Sequence, residues 1–249
     1  MMRFESVERL LDVIDSSESL RELGCAMAEA TNDLGFQYFA ITHHTDFGRL
    51  APHSIRLHNY PANWVGTYDE SDLGARDPVR RACNVTNVGF PWSRIPSMIP
   101  LKALDHQLIE LGRDHGIQDG FAVPASLPGE ALGSCTFATP TGRTVAPEHF
   151  PVAQLVGAFA FNRARHLWIA ARPIAEDPPA LTARQRECVI WMARGKSDWE
   201  ISRILCVGEE TVTRHLKAAR EKYGAEKRTS LAVRALADRT LSFDEILAC

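Results

Sequence analysis

Apolar residues at Phe4, Val7, Leu11 and Ile14, and again at Leu20, Leu23, Met27 and Leu34, recur every three or four positions. That is the spacing of one helix face, and it predicts two successive helices, the second ended by Gly35. Aromatic and β-branched density over residues 36–42 predicts a strand, and residues 54–59 its neighbour. Pro61 opens a short helix that places Trp64 and Tyr68 on one face. Asp77-Pro78 opens another, with Asp as the cap and Pro in the first turn. Leu101, Leu104, Leu108 and Leu111 mark a further helix. Residues 120–126 and 131–139 read as strands flanking Pro128-Gly129, a turn pair, and so as a hairpin; Pro147 starts a closing helix.

The pattern then breaks. Residues 172–180 hold three prolines, which exclude helix and strand and predict a linker. Beyond it, four helical segments follow over residues 182–194, 197–205, 209–223 and about 229–237. A chain of 249 residues, 45% of them apolar, accommodates two compact domains. The boundary also divides the charge. Residues 181–249 carry 13 Lys/Arg against 10 Asp/Glu, and residues 1–180 carry 15 against 21, so a net charge of −3 conceals a basic domain tied to an acidic one.

The greasiest stretch, residues 152–171, is interrupted by Asn162, Arg163, Arg165 and His166 and reads as a buried amphipathic helix, not a membrane span of about 18 or more apolar residues. With no basic segment leading into an apolar core at the N-terminus, the expectation is a cytoplasmic protein with no membrane association. Cys25, Cys83, Cys135, Cys188, Cys206 and Cys249 are scattered, without zinc-type spacing, and read as reduced, mostly buried thiols.

Two helix starts in the basic region are marked by capping boxes, Thr182-x-x-Gln185 and Ser197-x-x-Glu200. After the turn Cys206-Val207-Gly208, one helix carries Val212, Leu216, Ala219 and Tyr223 on a core stripe. Its opposite face offers Thr213, Arg214 and Lys217, with Arg220 at the margin, suited to phosphates and guanine edges in a major groove. An ordinary solvated basic helix would share that pattern. The wording is more specific: Leu-Thr-Ala-Arg-Gln-Arg-Glu (181–187), Gly-Lys-Ser (195–197), Glu-Ile (200–201), Thr-Val-x-x-His-Leu-Lys (211–217) and Lys-Tyr-Gly-Ala (222–225) resemble the LuxR-type helix-turn-helix domain. The resemblance makes the third helix the DNA reader. Gly208 replaces the usual Ser cap, Ser202 the usual Ala, and Trp199 is an unusual surface aromatic. A Gly cap costs only a few tenths of a kcal/mol relative to Ser.

In the first 170 residues, Tyr60-Pro-Ala-Asn-Trp64-x-x-x-Tyr68, Asp77-Pro78, Trp92, Gly120 and Thr136 resemble the acyl-homoserine-lactone-binding domain of quorum-sensing LuxR regulators. Such a ligand carries a lactone carbonyl, an amide N–H, an amide carbonyl and an apolar chain. Trp64, a donor only, suits the lactone carbonyl, and Asp77, an acceptor only, suits the amide N–H. Tyr60 and Thr136 suit the acyl carbonyl, while Trp92, Tyr68 and Ile117 would wall the ring and chain. Each aromatic alone would be read as core packing; five matched positions together favour the pocket. Thr42, Ala40, Val79, Ala122 and Ser134 are placed to set pocket length. An unpartnered Asp77 in the empty pocket is expected to loosen the ligand-free domain.

The expectation is therefore an α+β protein. An N-terminal α/β/α sandwich around an antiparallel sheet (residues 1–171) binds N-acyl-homoserine lactone between the sheet and the helices of one face. A linker (172–180) joins it to a C-terminal all-α four-helix helix-turn-helix domain (181–249). The resemblance implies a homodimer on an inverted-repeat operator, with half-sites roughly 10 bp apart or a multiple of that, RNA polymerase as a partner, and pairing through the last helix around Leu231–Leu236. No cofactor, metal or catalytic role is expected: His43-His44, Asp105-His106 and His115 have no recurrent ligand spacing and no positioned nucleophile. The acidic cluster of a phosphorylated receiver is not evident. The competing reading is an orphan LuxR-type regulator that senses another small molecule or acts without one.

Overall fold

The computed structural model describes residues 4–45, 54–127, 130–171 and 179–247. The chain separates into two compact units, the first built from Met1–Leu127 and Ala131–Pro173, the second chiefly from Ile174–Cys249. Most of the Pro-rich linker, residues 172–178, and the Pro128-Gly129 turn lie outside the described residues.

The first unit opens with α1 (Phe4–Ser16) and α2 (Leu20–Asp33). Ser19 caps α2 by accepting from the Glu22 N–H, and Gly35, at φ 83°, takes the left-handed position that ends it. The chain continues through β1 (Tyr38–His43), β2 (Arg56–His58), α3 (Ala62–Glu70), α4 (Pro78–Cys83), β3 (Phe90–Pro91), α5 (Ile95–Met98), α6 (Ala103–Asp114), β4 (Ile117–Ala125), β5 (Gly133–Pro140) and α7 (Phe150–Ala170). Short 3-10 turns occupy Leu73–Ala75, Trp92–Arg94 and Pro147–His149. The five strands form one antiparallel sheet in the order β2-β1-β5-β4-β3.

Strand alternation gives the sheet two different faces. Phe39, Ile41, Phe121, Val123, Cys135 and Phe137 point to a core completed by Ile14, Leu23 and Met27 of α1 and α2 and by Val156, Ala160 and Phe161 of α7. Gly157 permits this closeness: a Cβ there would sit 2.7 Å from Val123 Cγ2. The residues between, Ala40, Thr42, Ser134 and Thr136, face α3, α4 and α6 across a cavity. The α/β/α sandwich with an antiparallel sheet is thus the observed architecture.

The second unit contains α8 (Ala183–Ala193), α9 (Asp198–Leu205), α10 (Glu209–Lys222), α11 (Arg228–Ala237) and a short α12 (Phe243–Leu247) that the sequence pattern did not predict. Both capping boxes form, on Thr182/Gln185 and Ser197/Glu200, whereas Gly208 provides no side-chain cap to α10. Val212, Leu216, Ala219 and Tyr223 are buried with Val189, Ile201, Leu231 and Ala235. Of the segment around Leu231–Leu236 expected to contribute to pairing, Leu236 is half-buried. Leu231 is fully buried in its own unit, α11 is not the last helix, and the exposed apolar residue of α11 is Val233. Of the described cysteines, Cys83, Cys135 and Cys188 are buried, Cys25 and Cys206 are exposed, and all are free. Among the described residues no helix is long and apolar enough to cross a membrane, and no cluster of His, Cys, Asp and Glu could hold a metal ion.

Candidate ligand pocket and nucleic-acid interface

The cavity in the first unit measures about 130 Å³. Tyr60, Trp64, Tyr68, Asp77, Trp92, Ile117 and Thr136, scattered over 77 positions of sequence, all line it. Each arrives by a different local device. Helix α3, begun at Pro61, puts Trp64 and Tyr68 one turn apart, their rings edge-on at 5.5 Å. Asp77 caps α4, accepting from the Val79 N–H at 2.8 Å, while its other oxygen accepts from the Tyr68 hydroxyl at 2.7 Å. Trp92 begins a 3-10 turn, and its indole lies on Gly120, where a Cβ would come within 2.6 Å of the ring. Only glycine allows that approach.

The polar groups fall into two sets. Tyr60 and Thr136 lie within hydrogen-bonding reach of each other, and burial pushes the Tyr60 phenol well up. Burial, followed by the neighbouring Asp77 carboxylate, also pushes the Tyr68 phenol up, so Tyr68 is a firm donor to Asp77. Both indole donors are unused: the N–H of Trp92 is buried without a partner, and that of Trp64 has no acceptor among the described residues. The expectation that Asp77 lacks partners in the empty pocket is therefore corrected, because both of its oxygens are engaged. Among the cavity-lining residues the buried polar atoms without a protein partner are instead the Trp92 indole N–H and His58 Nδ1. Each Asp77 oxygen keeps a second lone pair for another donor.

Residues that the sequence reading did not select also line the cavity. Arg56 and His58 face it from β2, and Arg56 holds Asp69 of α3 through two hydrogen bonds of 2.7 and 2.8 Å. Arg80 places its guanidinium 5.6 Å from the centre of the Tyr68 ring. Their alternation on a predicted strand was the available signal for Arg56 and His58. Of the residues expected to set pocket length, Ala40, Thr42, Val79 and Ser134 line the cavity, whereas Ala122 is buried among Ala82, Phe90 and Ile95.

In the second unit, the outer face of α10 presents Arg214 and Lys217 to solvent. Thr213 is exposed too, but its hydroxyl donates to Asp198 at 2.7 Å, and half-buried Arg220 donates to the Glu226 carbonyl at 3.1 Å. Asp198 also takes a hydrogen bond from Arg228, which holds the Lys196 carbonyl at 2.8 Å. Asp198 therefore ties the starts of α9 and α11 to α10. Arg214 and Lys217 are left as outward-facing cations of α10.

Comparison with known proteins agrees with both units. Residues 19–164 match the family model described as an autoinducer binding domain, and residues 179–235 match that of bacterial regulatory proteins of the luxR family. The chain is 29% identical over 231 residues to the quorum sensing-dependent transcriptional regulator RpaR of Rhodopseudomonas palustris, covering 92% of this chain and 93% of that protein. It is 28% identical over 215 residues to the transcriptional activator BjaR1 of Bradyrhizobium diazoefficiens, covering 84% and 86%. To the transcriptional activator LuxR of Aliivibrio fischeri it is 26% identical over 88% of each chain. Among solved structures, SdiA in complex with octanoyl-rac-glycerol superimposes with a TM-score of 0.68 at 25% identity, over 96% of this chain and 97% of that one.

Proposed function

The chain belongs to the LuxR family of autoinducer-binding, quorum-sensing transcriptional regulators, and from that premise we propose that its pocket binds an N-acyl-homoserine lactone that governs DNA binding by the helix-turn-helix unit. In this reading residues 1–171 are the sensor, 172–180 the linker and 181–249 the DNA-binding domain. The observation that carries it is the convergence of seven residues with complementary polarity on one cavity. Trp64 offers its free N–H to the lactone carbonyl. Asp77, fixed by Tyr68 and Val79, accepts the amide N–H, and the Tyr60–Thr136 pair donates to the acyl carbonyl. Trp92 and Ile117 wall the ring. The ligand fills space that the empty domain leaves open, so its binding stabilises the sensor and favours a homodimer. Two recognition helices then meet an inverted repeat through Arg214 and Lys217, and RNA polymerase is the partner at the promoter. The protein works in the cytoplasm and uses no cofactor.

A second reading is an orphan regulator that senses another acyl compound, since a structure of this fold holds octanoyl-rac-glycerol. An acyl glycerol ester has no amide N–H, but its free hydroxyls can also donate to Asp77, so the two ligand classes are separated by the assay below.

The test is the melting temperature of the full-length protein with homoserine lactones bearing straight, branched and aromatic acyl groups, with their ring-opened forms, and with an acyl glycerol. Saturation at about 100 times the dissociation constant adds roughly 2.7 kcal/mol, or about 5–10 °C for a chain of this size. A rise with intact lactones and none with opened ones supports the reading. A rise with the acyl glycerol alone would move the assignment to the orphan reading, and no rise with any lactone would refute a lactone ligand.

A further inference from the structure

The pairing registers divide the cavity-facing side of the sheet into three rows. The first is Tyr38, Ala138 and Gly120; the second is His58, Ala40, Thr136 and Ala122; the third is Arg56, Thr42, Ser134 and Pro124. Successive rows are two residues apart, so the first and third are separated by about 13 Å. The first row brings no polar side chain into the cavity: Tyr38 does not line it, Trp64 and Ile117 pack with Ala138, and Trp92 lies on Gly120. In the proposed binding mode it carries the lactone. The second holds Thr136, the expected partner of the acyl carbonyl. The third row, where the acyl end would lie, is polar, with Arg56, Thr42 and Ser134 all lining the cavity.

Ser134 is held in place from behind. His44 Nε2 lies 2.9 Å from its hydroxyl oxygen, and burial, followed by the charge of Arg80 and by His43, lowers the His44 imidazole to about 3, so the ring is neutral. Its Nδ1 is buried without a partner. A buried lone pair is tolerated better than a buried N–H, so the proton belongs on Nε2, which donates to Ser134. The Ser134 O–H is thereby left to donate elsewhere. Its other neighbour is the Cys83 thiol, pushed up to about 12 by burial and hence protonated, a weak acceptor. The Thr42 hydroxyl has no partner among the described residues. An unsubstituted alkyl end would desolvate both hydroxyls and give neither a hydrogen bond.

We infer that the acyl end of the ligand bears a hydrogen-bonding oxygen, a hydroxyl or a carbonyl, received by Ser134 and Thr42 at the far end of the pocket. The inference rests on the homoserine-lactone reading and goes one step further, to the acyl class. Ser134 and Thr42 are the specificity-determining residues, and His44 is a positioning residue that acts through Ser134.

Calorimetric titration of the full-length protein with matched lactones tests this. The pairs are octanoyl against omega-hydroxyoctanoyl, phenylpropanoyl against para-hydroxyphenylpropanoyl, and octanoyl against a chain of equal length ending in a methyl ketone. The hydroxyl and ketone arms separate an alcohol from a carbonyl as the group recognised. The better oxygenated member should bind about tenfold or more tightly than its partner. Ser134→Ala and Thr42→Val should each shrink that ratio, weakening the oxygenated member and tightening the unsubstituted one, which no longer desolvates a hydroxyl; Thr42→Val breaks no bond within the protein and serves if Ser134→Ala folds poorly. Equal or tighter binding of the unsubstituted member in every pair, or a ratio unmoved by both substitutions, would overturn the inference and leave the lactone reading intact. Failure of every lactone to bind would instead overturn the lactone reading itself.

Discussion

Replacing Trp64 with Phe separates the polar from the packing role of the pocket's most buried aromatic. Trp64 is 9% exposed, with ring centres of Tyr68 and His115 each 5.5 Å away and its outer ring edge facing Gly112. Phe preserves an aromatic face in the same place. Since the indole N–H has no acceptor among the described residues, its removal costs the empty protein no hydrogen bond, only the contacts of the lost ring, about 1–2 kcal/mol. The loaded protein loses the donor to the lactone carbonyl, which is then buried without a partner, at about 1–3 kcal/mol. Lactone affinity should therefore fall about 5- to 150-fold. Calorimetry on a four-way cycle isolates this: wild type and Trp64→Phe, each with an acyl-homoserine lactone and with the matching acyl cyclopentylamide, which lacks the ring carbonyl. The substitution should weaken the lactone by the stated factor and the cyclopentylamide only slightly, giving a coupling of about 1 kcal/mol or more. Equal weakening of both ligands would refute the donor role and return Trp64 to simple packing.

Asp77→Asn should lower lactone affinity by about 10- to 100-fold through loss of a charge-assisted hydrogen bond, while the unliganded melting temperature falls only by a few degrees, because Asn still caps α4 although its NH2 replaces the oxygen that accepts from Tyr68; calorimetry and thermal scans on one preparation check both. His44 predicts acid sensitivity. Its folded-state pKa, lowered to about 3, lies below the unfolded value near 6.5, so the neutral ring's contribution is complete above about pH 6.5 and is lost progressively as the pH falls toward 3, on the order of 1 kcal/mol per unit. Urea unfolding of the sensor at pH 7 and pH 5 should show a loss that His44→Gln reduces; an equal pH dependence in both proteins would contradict it. Lys217→Ala should weaken DNA binding across sequences and reduce the salt slope by about one ion, and Arg214→Ala should in addition relax sequence preference. Unchanged affinity and salt slope for both variants would mean that another face of α10 meets DNA.

Long, periodic elements were legible in the sequence, and short ones were not. The stripes of α2 and α10 and the capping boxes of α8 and α9 carry several independent cues each. By contrast β3 spans two residues, α5 four and α12 five, fewer than a period needs to declare itself. The pocket was legible where residue chemistry is restrictive: an indole, a carboxylate beside a proline and a phenol at fixed spacing. What escaped was pairing. Sequence gives no sign that Tyr68 satisfies Asp77, so the polar atoms left without a protein partner in the cavity are those of Trp92 and His58 and not of Asp77. Nor does it show that Asp198 occupies the Thr213 hydroxyl, or that His44, just past the end of β1, stands behind Ser134. Such contacts depend on register, which alternation alone leaves open.

The central claim is that a lactone in the sensor alters DNA binding by the second unit. The measurement is fluorescence anisotropy of the full-length protein on duplex DNA selected from a random pool, with and without the best-binding lactone, paired with calorimetry of that lactone with and without the DNA. Linkage requires the two affinities to change by the same factor, which for allosteric pairs is about 5- to 150-fold. Equal factors in that range are the predicted result; DNA affinity indifferent to a lactone that demonstrably binds would contradict the account.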